Sequence, residues 1–368
     1  MKFSISREAL IKPLNLVAGV VERRQTLPIL ANVQLVLNGQ ELALTGTDLE
    51  VELIGRVHLD DDAGVSGEIT VPARKLVDIC KALPDGSTIS FQLDEQKLIL
   101  KSGRSRFQLS TLAANDFPSV EQSKGGQSFT LKQGDLKRLI ERTSFAMAQQ
   151  DVRYYLNGML FEVTEGQLRV VATDGHRLAM ATFEGDIHVD QVAQVIVPRK
   201  GVVELARLLM NEDQDAEVIV GGNHIRVVTT DFTFTSKLID GKFPDYERVL
   251  PRNSTKVVLG SRADLKQAFA RTAILSNEKY RGIRMLLTSG ELRIVANNPE
   301  QEEAEETVAV EYQGDSLEIG FNVSYLLDVL SAINGESAKF SLSDANSSAL
   351  IEEADGSNCQ YVVMPMRL

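Results

Sequence analysis

Only two cysteines, Cys80 and Cys359, occur in the 368 residues. That is too few for a disulfide framework or a thiolate metal cluster, and it fits a reducing, cytosolic setting best. No apolar run approaches the length of a membrane span, so no membrane partner is expected. The opening "MKFSISREALIKPLNLVAGVVERR" has neither the apolar core nor the small-residue cleavage site of a signal peptide. The Gly-rich phosphate loop, zinc-ligand spacings, the G-x-S-x-G elbow and H-E-x-x-H are missing too, and no cofactor or metal is called for. Positive charge is scarce: 39 Lys and Arg against 51 Asp and Glu leave a net −12, a poor match to phosphate on its face. What is present is ordinary globular composition, 43% hydrophobic and 24% charged, in a length that suggests two or three domains.

The chain repeats itself. "VPARKLVDICKAL" from Val71, "VPRKGVVELARLL" from Val197 and "FNVSYLLDVLSAI" from Phe321 start 126 and then 124 residues apart. Their apolar positions coincide at Leu76, Val202 and Leu326, then at Ile79, Leu205 and Val329, at Cys80, Ala206 and Leu330, and at Leu83, Leu209 and Ile333. Spacing of i, i+3, i+4, i+7 is that of an amphipathic helix. A second helix opens each third, with stripes Leu10, Leu14, Val17, Val21; Leu136, Leu139, Ile140, Thr143; and Leu265, Phe269, Thr272. Between helices, alternating stretches such as "KLILKSGRSRFQLSTL" and "HIRVVTTDFTFTSKL" read as strands joined by Gly-containing turns. The expected fold is α+β: three repeated domains, each with two helices on one face of antiparallel sheet. Boundaries are expected near 120–126 and 252–255, giving domains 1–124, 127–253 and 254–368.

One constellation could carry chemistry. Asp174 and His176 in "VATDGHRLAM" stand two apart and could serve acid–base work. The alternative is a tight turn in which Asp bonds its own backbone and Gly175 supplies a positive φ. The first repeat keeps Asp48 and the third has Asn298 there, without the His, which favours the turn. His58, His188 and His224 lie alone in polar contexts and read as surface residues. "NPEQEEAEE", from Asn298 to Glu306, is an acidic run inside the third repeat, and Lys75, Lys101, Arg104 and Arg106 form a basic set in the first. Both departures occur once and are opposite in sign, which favours an interface over two solvated faces. In "RSRFQL", alternation predicts Arg104 and Arg106 on one side and Phe107 and Leu109 on the other.

The acidity is also unevenly placed. The predicted helices Arg7–Arg24, Pro72–Lys81, Asp135–Gln149, Pro198–Leu209, Arg262–Ala273 and Asn322–Ile333 hold sixteen Lys and Arg against eight Asp and Glu. Screening confines fields to about 8–10 Å at cellular salt, so a locally basic helical surface can meet phosphate on an acidic protein.

With repeats and basic helices established, "LTGTDLE", "TVPARK", "GRSRF", "DVRYYLNGML", "VATDGHRLA", "FPDY", "AILSNEK", "ANNPEQEEAEE" and "YVVMPMRL" closely resemble the bacterial DNA polymerase III β subunit family, in its gamma-proteobacterial branch. The resemblance spans the whole chain. It implies a non-enzymatic sliding clamp, a head-to-tail homodimeric ring around double-stranded DNA without sequence preference. It further implies short-peptide docking of the replicative polymerase, clamp loader, other polymerases and repair factors. By resemblance Arg24, Arg74, Gln150, Tyr154, Arg199 and Lys200 lie near DNA, with Gln150 and Tyr154 on a loop. The implied peptide groove comprises Leu156, Thr173, Gly175, His176, Arg177, Leu178, Pro244, Arg248, Val249, Asn322, Tyr325 and Ser348. Its far wall is the closing strand: Val362, Val363, Met364, Pro365, Met366 and Arg367. For the seam between subunits, Lys75, Arg104 and Arg106 are expected to face Glu300, Glu302, Glu303, Glu305 and Glu306, with Phe107 and Leu109 near Ile274 and Leu275.

Overall fold

A computed structural model describes residues 1–21, 27–60, 64–120, 126–252 and 254–367. The expected C-terminal end of the first helix, with Arg24, and residues 124 and 253, at which two of the proposed domains end, lie outside the described residues. Six helices form where the periodicity predicts them: α1 Arg7–Ala18, α2 Ala73–Ala82, α3 Gln133–Thr143, α4 Arg199–Leu208, α5 Arg262–Thr272 and α6 Val323–Ala332. Side chains start three of them. Ser6, Ser261 and Asn322 accept from the backbone N–H of Ala9, Asp264 and Ser324 at 3.2, 3.2 and 2.9 Å, satisfying donors that have no partner inside the helix.

Leu76, Cys80, Leu205, Leu209, Leu326 and Leu330 are fully buried, as the shared stripe requires. Thr143 and Thr272 are buried as well, and each hydroxyl donates to the carbonyl four residues back (Leu139 and Ala268) at 2.8 and 2.7 Å. The first helix departs from expectation. It ends at Ala18, and Val20 rather than Val21 completes the buried stripe. The guanidinium of Arg207 donates to the Leu16 carbonyl at 3.1 Å, and the N–H groups of Gly19 and Val20 turn back to residues three earlier. That tightening shifts the periodicity by one position.

The chain divides into two compact units, Met1–Gly134 with Val203–Leu238 and Asp135–Val202 with Ile239–Leu368. Each holds one four-stranded and one eight-stranded antiparallel sheet. In the first unit the eight strands run in the order Gly67–Pro72, Asn32–Asn38, Glu41–Thr47, Val51–His58, Phe232–Lys237, His224–Val228, Asp215–Val220, Gln127–Lys132. In the second the order is Ala193–Pro198, Gly158–Thr164, Gln167–Thr173, Arg177–Glu184, Cys359–Val363, Ala349–Glu353, Ser337–Leu342, Lys256–Ser261. Each large sheet therefore joins four strands of one repeat to four of the next. The small sheets are single fours, and they end in the edge strands Ser105–Ser110 and Glu303–Ala309.

Candidate functional site

The closing strand of the sequence is interior to the second unit's large sheet. Cys359–Val363 lies between Arg177–Glu184 and Ala349–Glu353, with Leu178 opposite Val362 and Arg177 opposite Val363. Burial on both faces explains why this strand is so apolar, and Tyr361, Val362 and Val363 are at most 1% exposed. Beside the strand, Leu160, Val171, Leu178, Met180, Ile196, Phe243, Tyr246 and Val362 form one buried cluster, with Tyr155, Ile239, Leu250 and Leu350 partly buried against it. Of these, sequence reading named Leu178 and Val362. The others carry only the signal of strand alternation, which does not say which residues of a sheet face will gather into one cluster.

Polar residues named for the expected groove follow the Gln167–Thr173 strand. The turn at Asp174 is a turn for the reason its backbone gives: Asp174 Oδ1 accepts from the N–H groups of His176 and Arg177 at 2.9 and 3.0 Å, and Gly175 has φ +88°. Asp48 accepts from the N–H groups of Glu50 and Val51 in the same way, whereas Asn298 accepts once, from the Glu302 N–H four residues on at 3.0 Å. A Cβ on Gly175 would meet the Arg153 guanidinium at 2.9 Å, which could swing aside, but the φ of +88° strains any L side chain at this position. The carboxylate of Asp174 is thus committed to structure, and His176 is exposed beside Tyr325, ring centres 6.4 Å apart. Thr173 donates its hydroxyl to the Arg177 carbonyl at 2.6 Å.

Arg177 ties this turn to α6. Its guanidinium donates to Asp174 at 3.1 Å, to Asp328, and to the Phe145 carbonyl at 2.9 Å, while lying 4.5 Å from the Tyr325 ring centre. Removing it strands two carboxylates and a carbonyl, and loses a cation–π contact. Arg177→Met is expected to lower unfolding stability by about 2 kcal/mol, less than a fully buried pair because Asp328 is half open to water. Denaturant unfolding checks this; unchanged stability would mean the network is decorative.

Beyond the strand the chain is pinned twice, Met364 N–H to His176 O at 2.9 Å and Met366 N–H to Gly320 O at 2.8 Å. Met364 is 45% exposed and Val249 41% exposed, while Pro365 and Met366 are half-buried. Leu156 is buried, Asn322 caps α6, Ser348 is half-buried before the Ala349–Glu353 strand, and Pro244, Arg248 and Arg367 are exposed. Tyr246, between Pro244 and Arg248, anchors their turn: Arg169 donates to its hydroxyl at 2.8 Å, and the hydroxyl donates to Glu162 at 2.7 Å. Burial pushes the Tyr246 phenol up to about 12, so it remains a donor at neutral pH.

Of the residues expected near DNA, Arg74 is exposed on α2, Arg199 and Lys200 are half-buried on α4, and Arg199 donates to the Met147 carbonyl at 3.2 Å. Gln150 is exposed with φ +56°, and Tyr154, 58% exposed, opens a short 3-10 turn rather than lying in plain loop. Between them Arg153 grips Asp151 at 2.9 Å and holds its carboxyl down to about 2. Many helical cations have structural work. Arg7 and Arg262, each first in its helix, donate to Cys80 O at 2.8 Å and Ile333 O at 2.9 Å, where helix dipoles present negative ends. Arg142 pairs with Glu353 at 2.6 Å and Arg271 with Glu306 at 3.1 Å. The helices as formed hold fourteen Lys and Arg against seven Asp and Glu, and intrachain partners engage a large part of that excess.

Apart from Lys75, which is on α2, the expected seam residues stand on or beside the two edge strands. Arg104 departs from the predicted alternation: it sits with Gly103, φ +55°, in the hairpin turn before the strand. Arg106 and Lys75 are exposed, Phe107 is half-buried and Leu109 is buried in its own sheet. Ile274 is 75% exposed and Leu275 half-buried. Glu300, Glu302 and Glu303 are exposed, but Glu305 pairs with Arg293 at 2.9 Å and Glu306 with Arg271, so the acidic run is partly neutralised within its own chain.

Among the described residues no group of His, Cys, Asp and Glu is arranged to hold a metal, and no helix is long and apolar enough to cross a membrane. A threefold α+β repeat with an apolar cluster against its closing strand, and with the Asp174 carboxylate engaged in a turn rather than paired with His176, fits a binding protein of the clamp type better than a catalyst. Family models for the N-terminal, central and C-terminal domains of the DNA polymerase III beta subunit match residues 1–121, 130–245 and 247–367. The beta sliding clamp of Pseudomonas aeruginosa is 66% identical and that of Escherichia coli K12 54% identical, each over the full length of both chains. A crystal structure of a Pseudomonas aeruginosa sliding clamp bound to griselimycin superposes with a TM-score of 0.98 at 66% identity, covering all of both chains. The chain belongs to the DNA polymerase III beta subunit family, the sliding clamps, and is a non-enzymatic replication factor.

Proposed function

We propose that two copies close head to tail into a ring around duplex DNA. The ring tethers the replicative polymerase, clamp loader, other polymerases and repair factors through peptides held in the groove at Leu178 and Val362. The observation that carries the ring is the strand count. Among the described residues, eight strands and two α-helices fall within each of 1–124, 127–253 and 254–368, which we take as the three domains. Two sets of four merge into eight at each internal junction, leaving one four-stranded sheet in the first unit and one in the second, each with an edge strand whose backbone groups lack a ladder partner. Joining Ser105–Ser110 of one copy to Glu303–Ala309 of the next would make a third eight-stranded sheet, with exposed Arg106 near exposed Glu303. Repeated once, such a heterologous contact closes a ring. DNA inside would be tracked through scattered cations such as Arg74, without base contacts. The cytoplasm is the proposed compartment, in keeping with unpaired Cys80 and Cys359.

Exposed ion pairs contribute about 0.2–1 kcal/mol each, whereas burying a large aliphatic side chain contributes roughly 1.5–3 kcal/mol. Ile274, the most exposed large apolar residue beside the Glu303–Ala309 edge, is therefore expected to matter more than any single charge. Ile274→Ala with Leu275→Ala should sediment as folded monomer at concentrations where Arg106→Ala remains dimeric. A double variant that stays dimeric would place the seam elsewhere.

A further inference from the structure

The two eight-stranded sheets are built on one register, and this exposes a second groove of different chemistry. Leu178 lies opposite Val362, which lies opposite Leu350, in the second unit's sheet. In the first unit's sheet the same positions read Glu52 opposite Thr235 opposite Arg226. One row over, Leu160 opposite Val171 is replaced by Gln34 opposite Thr45. Gln34, Thr45, Glu52 and Arg226 line a cavity of about 400 Å3, with Thr235 buried between Glu52 and Arg226 in the sheet. The cavity also includes Pro118, Ser119 and Val120. These three follow Phe117 as Pro244, Asp245 and Tyr246 follow Phe243. In the third repeat the register of Leu178 falls on Glu303, which faces Asn297 as Leu178 faces Thr173, and that of Leu160 falls on Arg284. Only the middle repeat is apolar at both positions.

We propose that Glu52, flanked by Thr235 and Arg226, is the specificity determinant that keeps peptides with apolar anchors out of the first groove, so that each chain offers one peptide site. This rests on the reading of the Leu178 groove as the peptide site. Size does not exclude a peptide, since small-ligand pockets begin at about 300 Å3. Chemistry does. Glu52 is 5% exposed, its carboxylate accepts from the Val120 N–H at 3.1 Å, and Arg226 donates to Thr235 at 3.2 Å. A Leu or Phe anchor laid here would displace Val120 and cover a carboxylate and a guanidinium without supplying a hydrogen bond to either, and buried polar groups without partners are strongly unfavourable. Burial already raises the Glu52 carboxyl above its ordinary value, and the Val120 N–H that an anchor would displace is what offsets that burial.

The test counts peptides per chain by calorimetry, using the intact protein and a synthetic peptide with Leu and Phe anchors. Leu178→Glu alone is expected to abolish binding; if one peptide per chain still binds, the groove reading itself fails. In that Leu178→Glu background, Glu52→Leu, Thr235→Val, Arg226→Leu, Gln34→Leu and Thr45→Val together should restore one peptide per chain. A folded variant of unchanged mass that binds none overturns the inference while leaving the Leu178 groove intact. If the fivefold variant does not fold, Glu52→Leu with Thr235→Val in the same background decides the matter on the same count, at lower affinity.

Discussion

Protein loaded on a nicked circular duplex is expected to co-elute with the DNA on gel filtration, and to come off entirely once the circle is cut. The argument is one of supply. Arg7, Arg142, Arg207, Arg262 and Arg271 all bond to carbonyls or carboxylates of their own chain. Lys12, Lys137, Arg138 and Arg199 are engaged likewise, which leaves at most five of the fourteen helical cations for phosphate. Each phosphate neutralised contributes about one counterion of salt dependence. Direct affinity so small would be lost at physiological salt within a chromatographic run, whereas a closed ring leaves a circle only by opening. Retention that survives linearisation would show that contacts rather than closure hold the DNA. The same experiment with Ile274→Ala and Leu275→Ala should show no retention even on the uncut circle.

Loss of peptide binding by at least thirtyfold is expected for Met364→Ala with Met366→Ala, about 2 kcal/mol, the size of a hot spot in a desolvated pocket. Met364 is 45% exposed and Met366 half-buried, so neither is a core residue whose loss would collapse the sheet. Unbranched thioether side chains can also reshape themselves around different anchors, which suits a groove serving several partners. The two backbone bonds that pin the segment, to His176 O and Gly320 O, do not involve the side chains and survive the substitutions. Melting temperature and sedimentation should therefore match the parent while affinity falls. Deleting Met364 onward is a harsher probe because it removes both pins, and it is expected to lower melting as well. Unchanged affinity in the double variant would put the groove elsewhere and leave sheet packing as the only role of this segment.

Local periodicity made the helices legible. A stripe such as Leu76, Cys80 and Leu83 depends on spacing within one element, and the same spacing recurs at Leu326, Leu330 and Ile333. Turn chemistry at Asp48, Asp174 and Asn298 was legible for the same reason, since an Asx side chain bonds to its own next few residues. The end of α1 was not, because the group that stops it, Arg207, comes from 191 residues away in sequence.

By itself, then, the sequence determined a threefold α+β repeat, the buried face of each helix, the turns, and an apolar closing strand that needed a partner. Tertiary structure decided what that strand pairs with. Tyr361 meets Ala179 across the chain, and no local pattern encodes a pairing at that separation. It also decided that the arginines making the helices look basic are largely spent on helix ends and carboxylates, which is a matter of reach and not of composition. Finally, it set Thr235 and Arg226 across from Glu52 where Val362 and Leu350 stand across from Leu178. Strand register places side chains on a common face with a period of two residues, so a groove and its polar counterpart become comparable only once both sheets are assembled.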